Sequence, residues 1–297
     1  MERFTREIAY TPANNVLVVF DRVRTTDPSF KKVWLLHGVG KPSIVADKGR
    51  DVGHGGTEYP NAAMFTYEDG NGRLRVHCLL PREREVVTRG GLGWEFWTPG
   101  DEFGGAWGSG KNWPLDPPAG GPLPADPYLR KMWKTFWGDD FEKLLPSNTR
   151  AVVPAAWRVE VSPAKPAKED LFLHVLEISD KGDPREPKVE LVDGVNLIGA
   201  LVEGGTVTLF ATGEGAVTEG EVTIPDVETA NLLISGLQPH AKYELQMTGG
   251  RANWRGGMFN GVPGGTFIGT ANESGVLYAP FKGQKDGRLR LRILATP

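Results

Sequence analysis

Side chains of the kinds that move protons group in neighbouring segments of the first third of the chain as His37, His54, Tyr59 and His77. Imidazole and phenol are general acids and bases when held within hydrogen-bond reach of a substrate. His54 and Tyr59 share the stretch "RDVGHGGTEYP", whose glycines predict a loop that aims both side chains into a cleft. His37 ends the apolar run "KKVWLLHG", and three readings of it stay open: a polar strand end, a metal ligand or a catalytic group. His77 interrupts "RLRVHCLLP" and reads mainly as a hydrogen-bonded core histidine, as does His174 in "LFLHVLEI". If the strands carrying His37 and His77 are neighbours in register, their imidazoles meet across the sheet. Asp51 (or His54) would then complete a three-ligand site with an open position, which suits zinc.

Binding chemistry has its own candidates. Arg50, Arg73 and Arg75 carry planar guanidinium groups that match a carboxylate with two parallel hydrogen bonds. Trp94, Trp97, Trp107 and Trp113 lie in or beside a glycine- and proline-rich segment. Indole rings pack against the C–H faces of sugars, although the same rings also pin long loops to a sheet. Other chemistries are excluded. "GGAWGSGK" lacks the phosphate-loop spacing, and no G-x-S-x-G elbow or HExxH helix occurs.

These residues must be positioned by strands. Alternating or β-branched runs recur as "EIAYT", "NVLVVFDRV", "AAMFTYED", "RLRVHCLLP", "REVVTRGG", "WRVEVSP" and "DLFLHVLEI". The turn Asp69-Gly70-Asn71-Gly72 between two of them predicts a hairpin. Further runs follow from "KVELVDG" to "RLRLRILA", and 39 glycines with 23 prolines suit short strands and frequent turns. The fold expected is all-β: a large antiparallel β-sandwich over 1–182, then a smaller Ig-like or jelly-roll β-sandwich module over 183–297. An insertion at 98–150 holds the one predicted helix, at 126–145, with Asp126 as N-cap and Pro127 at its first position. The formal charge of −3 gives no electrostatic case for nucleic acid, and no run reaches the ~18 apolar residues of a membrane span. A single cysteine, Cys78, leaves no intrachain disulfide to form.

The order of several segments resembles a known family. "REIAYTPANNVLVVFDRVRTTDPSFKKVWLLHGVGKPSI", "GRLRVHCLLP", "GGLGWEFW", "GKNWP" and "WRVEVSP…EDLFLHVL" are similar to the β-sheet domain of heparinase II/III-like polysaccharide lyases. The resemblance implies a partner that is an acidic, uronate-containing polysaccharide and a reaction, β-elimination, with His37, His54, Tyr59 and His77 as candidates for the proton transfers. It also implies a zinc ion held by two histidines and an aspartate, here His37, His77 and Asp51. That family places an (α/α) toroid ahead of the sheets, and the segments "HAHADN" and "HNT" that usually precede the arginine-led strand do not occur. A noncatalytic carbohydrate-binding or structural module is therefore the alternative, working with a toroid on a separate chain or as a homo-oligomer. The polysaccharide context implies an extracellular or periplasmic protein, although "MERFTREIAY" lacks the apolar segment of a signal peptide.

Overall fold

The computed structural model describes residues 1–12, 14–46, 48–91, 94, 157–225, 230–248, 253–254, 266–282 and 287–293. The predicted helix at 126–145 and Trp97, Trp107 and Trp113 lie outside the described residues. Strands are numbered in chain order. The first sheet has six, β1 (Arg3–Thr11), β2 (Val16–Arg24), β4 (Ser43–Val45), β7 (Met64–Asp69), β8 (Gly72–Leu80) and β11 (Glu169–Asp180), in the order β1-β2-β11-β8-β7-β4. The second has five, β3 (Trp34–Gly38), β5 (Arg50–Gly53), β6 (Gly56–Pro60), β9 (Arg84–Gly90) and β10 (Trp157–Pro163), in the order β3-β10-β9-β6-β5. The stretch "RDVGHGGTEYP", expected as a loop, is the β5–β6 hairpin, because its glycines fall at the turn and leave pairing residues on both sides.

Period-two alternation explains how these sheets stack. Odd residues of β2 (Leu17, Val19) and even residues of β11 (Phe172, Leu176) face the five-stranded sheet. They meet Trp34, Val86, Val159 and Val161 in one buried core, where each such side chain contributes roughly 1.5–3 kcal/mol. His174 lies in that core with no exposed surface, its ring stacked on Trp34 at 3.9 Å between centroids and 13° between planes. Among the described residues neither of its nitrogens has a hydrogen-bond partner. Burial, with Arg84 and Arg6 nearby, pushes its pKa down to about 3.

Ten strands build the rest. They are β12 (Val189–Val195), β13 (Leu197–Val202), β14 (Thr206–Ala211), β15 (Glu219–Ile224), β16 (Ala230–Ile234), β17 (Lys242–Thr248), β18 (Asn253–Trp254), β19 (Thr266–Thr270), β20 (Leu277–Lys282) and β21 (Gly287–Ile293). Strand β12 is the corner. Its first five residues pair with β13, whereas Gly194 and Val195 pair with β15. A β-carbon at Gly194 would sit 1.9 Å from the Glu221 carbonyl oxygen, so only glycine permits this close approach. The two half-sheets close over Val192, Leu209, Leu232, Tyr243, Leu245 and Leu291. Pairing is antiparallel except between β14 and β16.

The apolar runs of β13 and β14 are buried on both faces. Leu197, Leu201 and Leu209 enter the core of the ten-stranded sheet. Ile198, Ala200, Val202 and Phe210 point the other way, into a core shared with Val16, Val18, Phe20, Leu173 and Val175 of the six-stranded sheet. Phe20 and Phe210 stack there at 5.0 Å between centroids and 22° between planes. Arg22 donates to the Ala211 carbonyl, Ser235 Oγ to Glu7 at 2.5 Å, and Arg3 pairs with Glu214 at 2.7 Å around its margin. The protein is thus all-β, with its layers stacked in the sequence five-stranded sheet, six-stranded sheet, and the two halves of the ten-stranded sheet.

Candidate functional site

The outer face of the five-stranded sheet carries a row of charged and polar groups. Val159 and Val161 of β10 face the core, so Arg158 and Glu160 face outward. The same alternation turns Arg89 of β9, Glu58 of β6 and His37 of β3 outward, beside the inward Val86, Tyr59 and Leu36. Register then aligns them. His37 pairs with Arg158, Arg158 with Arg89, and Arg89 with Gly56, so one row crosses four strands. The next row runs Leu35, Glu160, Val87, Glu58 and Arg50.

Hydrogen bonds tie the row together. Glu160 Oε1 accepts from Arg158 Nε at 2.8 Å and lies 2.7 Å from Nη2. Arg89 Nε reaches the same oxygen at 3.4 Å. From its other end Arg89 Nη1 donates to the carbonyls of Gly53 at 2.9 Å and His54 at 2.8 Å. Both arginines are largely buried, and desolvation lowers the Arg89 pKa while Glu160 opposes that effect.

The β5–β6 turn ends the row. Gly53, His54 and Gly55 have φ of 71°, 53° and 65°, all left-handed. For His54 this is a costly conformation, of order 1–2 kcal/mol. The Trp94 indole lies over this turn, edge-on to the His54 ring with centroids 5.5 Å apart and planes at 77°. A β-carbon on Gly55 would come within 2.5 Å of that indole. Gly55→Ala is accordingly expected to destabilise the protein by about 1–2 kcal/mol and displace Trp94. An unchanged urea midpoint for G55A would show instead that the turn accepts a β-carbon.

The expected constellation is brought together only in part. His37, His54 and Trp94 share this face. Tyr59 does not, because it packs against the inner core beside Gly49. His77 is on the six-stranded sheet, on the face opposite Val76 and Cys78, and so points away from the five-stranded sheet. Its Nε2 lies 3.3 Å from Glu177 Oε1. The cross-strand meeting of His37 and His77 is therefore corrected: β3 pairs with β10, not with β8. The residues do not fit a zinc site of His37, Asp51 and His77, since Asp51 Oδ1 accepts from the Gly53 N–H on a third strand. Among the described residues no group of three His, Cys, Asp or Glu could hold a metal ion.

The three arginines expected to bind a carboxylate are engaged elsewhere. Arg50 pairs with the buried Glu58 at the margin of the site. Arg73 donates to Ser179 Oγ at 3.2 Å and to the Asp183 carbonyl at 2.6 Å, and Arg75 to the Arg185 carbonyl at 2.7 Å. They pin the segment between β11 and β12. Arg89, Arg158 and Glu160 were missed because "REVVTRGG" and "WRVEVSP" read simply as strands. The signal was present, in polar residues alternating with core valines in both.

Fold and site together define an all-β protein of stacked sheets with a charged, aromatic-flanked outer face. No protein-family model matches the chain, and no curated protein matches it.

Proposed function

We propose that this protein binds acidic, uronate-containing polysaccharide across the outer face of its five-stranded sheet. The observation that carries the reading is the row His37, Arg158, Arg89, running perpendicular to the strands into the turn beneath Trp94. The positive charge of the row suits a carboxylate-bearing chain, and an indole suits the C–H face of a pyranose. The similarity of the strand segments to heparinase II/III-like lyases supports the same ligand class and an extracellular or periplasmic setting.

Binding is favoured over cleavage. β-Elimination needs a base and an acid flanking one glycosidic bond. His37 and the turn of His54 are separated by three strand spacings, roughly 14 Å. Tyr59 and His77 face elsewhere. Any elimination chemistry would come from a partner, either a toroid-bearing chain or a second copy.

The test is calorimetric titration with oligomers of alginate, glucuronan and heparan, alongside ultraviolet detection of unsaturated uronate. Wild type is expected to bind at least one uronate, and Arg158→Ala, which removes a positive charge from the row, to bind about tenfold more weakly. No binding across the panel would sink the reading. Accumulating unsaturated product would replace it with a lyase.

A further inference from the structure

We propose that β1 is a pairing edge, at which two copies of this chain join antiparallel about a two-fold axis. Strand β1 ends the six-stranded sheet, beside β2. Its nine residues outnumber those of the other sheet ends among the described residues: three in β4, five in β3 and in β19, four in β5 and two in β18. Natural edges are shielded by brevity, lysine, proline or a bulge. β1 has none of these, for it runs in unbroken register from Arg3 to Thr11 without lysine or proline. Its charged side chains are paired within the chain, Arg3 with Glu214, Arg6 with Asp21 and Glu7 with Arg22. Phe4, Ile8 and Tyr10 lie on one face, 48%, 60% and 51% exposed.

The backbone shows which residues offer hydrogen bonds at this edge. The Thr25 N–H, just past β2, donates to the Lys168 carbonyl, so the odd residues of β2 turn their N–H and C=O groups toward β11. The even residues of β2 then turn theirs toward the odd residues of β1. Arg6, Ile8 and Tyr10 are left with N–H and C=O groups pointing away from the sheet. Charge selects the register. A two-fold axis through Arg6 or Glu7 would set like charges directly opposite each other. An axis through Ala9 would bring Pro12, which has no N–H, opposite Arg6. An axis through Ile8 moves Pro12 out to Phe4, sets isoleucine on isoleucine and lays each Arg6 beside the partner's Tyr10, a cation beside a ring. Arg6, Ile8 and Tyr10 of each copy then exchange both backbone hydrogen bonds with their opposites.

Sedimentation velocity of the full chain across micromolar concentrations is the test, with urea unfolding to check that each variant is folded. Wild type is expected to pass from monomer to dimer as concentration rises. Ile8→Lys sets two ammonium groups opposite each other and should raise the dimer Kd at least about tenfold. Tyr10→Lys should do the same against the partner's Arg6, whereas Tyr10→Glu should stay within about threefold of wild type. Ile268→Lys, at an exposed position on the β19 edge, should leave the dimer unchanged. A wild type that stays monomeric would overturn the proposal, leaving the edge to a different partner or to none. So would a dimer that survives I8K and Y10K, or one that Y10E weakens as much as Y10K. No polyuronate enters these measurements, so the pairing stands or falls separately from the ligand.

Discussion

Truncating Phe210 to alanine should cost about 3–5 kcal/mol and shift a single unfolding transition of the whole chain. Phe210 is 1% exposed and stacks on Phe20, also 1% exposed, in the core between the six-stranded sheet and the first half of the ten-stranded sheet. The surrounding residues are aliphatic side chains on strands, which collapse poorly into a vacated volume. Because the core is shared, neither the strands before residue 180 nor those after 189 can bury this face alone. Urea unfolding is the measurement. F210A should lower the midpoint with an unchanged slope, and Phe20→Ala should do the same. The double variant should fall short of additivity by about 0.5–1.5 kcal/mol, the worth of an aromatic pair. Two transitions, of which only one moves in F210A, would show that the sandwiches unfold independently.

Replacing His174 by phenylalanine is expected to make the protein markedly more resistant to acid. The folded state holds this imidazole neutral, with its pKa down at about 3 against an ordinary 6.5. Below pH 6.5 the unfolded chain takes up a proton that the folded chain refuses until about pH 3. Stability is therefore lost as pH falls through that window, at up to roughly 1.4 kcal/mol per pH unit, and is unaffected above it. Between pH 7 and 4.5 this one residue accounts for roughly 2–3 kcal/mol. Phenylalanine preserves the stack on Trp34 and removes two buried nitrogens that lack partners among the described residues. It should be neutral or mildly stabilising at pH 7, since replacing an unmet polar group by an apolar one of similar shape carries little penalty. Urea midpoints of both proteins at pH 7 and 4.5 decide the matter. Parallel losses in wild type and H174F would rule out His174 as the source.

The strands themselves were legible in the sequence because alternation reports a half-buried face directly. β7 and β8, for example, follow from two alternating runs around Gly70-Asn71, and the structure pairs Asp69 with Gly72 across that turn. Sheet membership was not legible. "VWLLH" and "LRVHCLL" have the same flavour, yet β3 joins β10, with Trp34 opposite Val161, and β8 joins β7 and β11. Nothing local in either run encodes a partner so distant in the chain. The candidate site suffered from the same blindness. Histidines were conspicuous by type, whereas Arg89, Arg158 and Glu160 become a site only when register lines them up. The glycines of "VGHGG" were read as freedom, but they serve a tight turn that lets an indole rest on the backbone.

The six-stranded sheet also bears on how the chain is made. β2 lies between β1 and β11 and is apolar on both faces, with Val16, Val18 and Phe20 toward one core and Leu17 and Val19 toward the other. Its partner β11 begins at Glu169, 145 positions after Arg24. At ribosomal speeds of about 5–20 residues per second, β2 waits roughly 7–30 s for that edge, and longer for Phe210 to cover its other side. Until then a two-stranded β1–β2 ribbon must keep both greasy faces from other nascent chains. A strand that ends between two cores in the finished protein thus spends seconds of its synthesis with neither core to cover it.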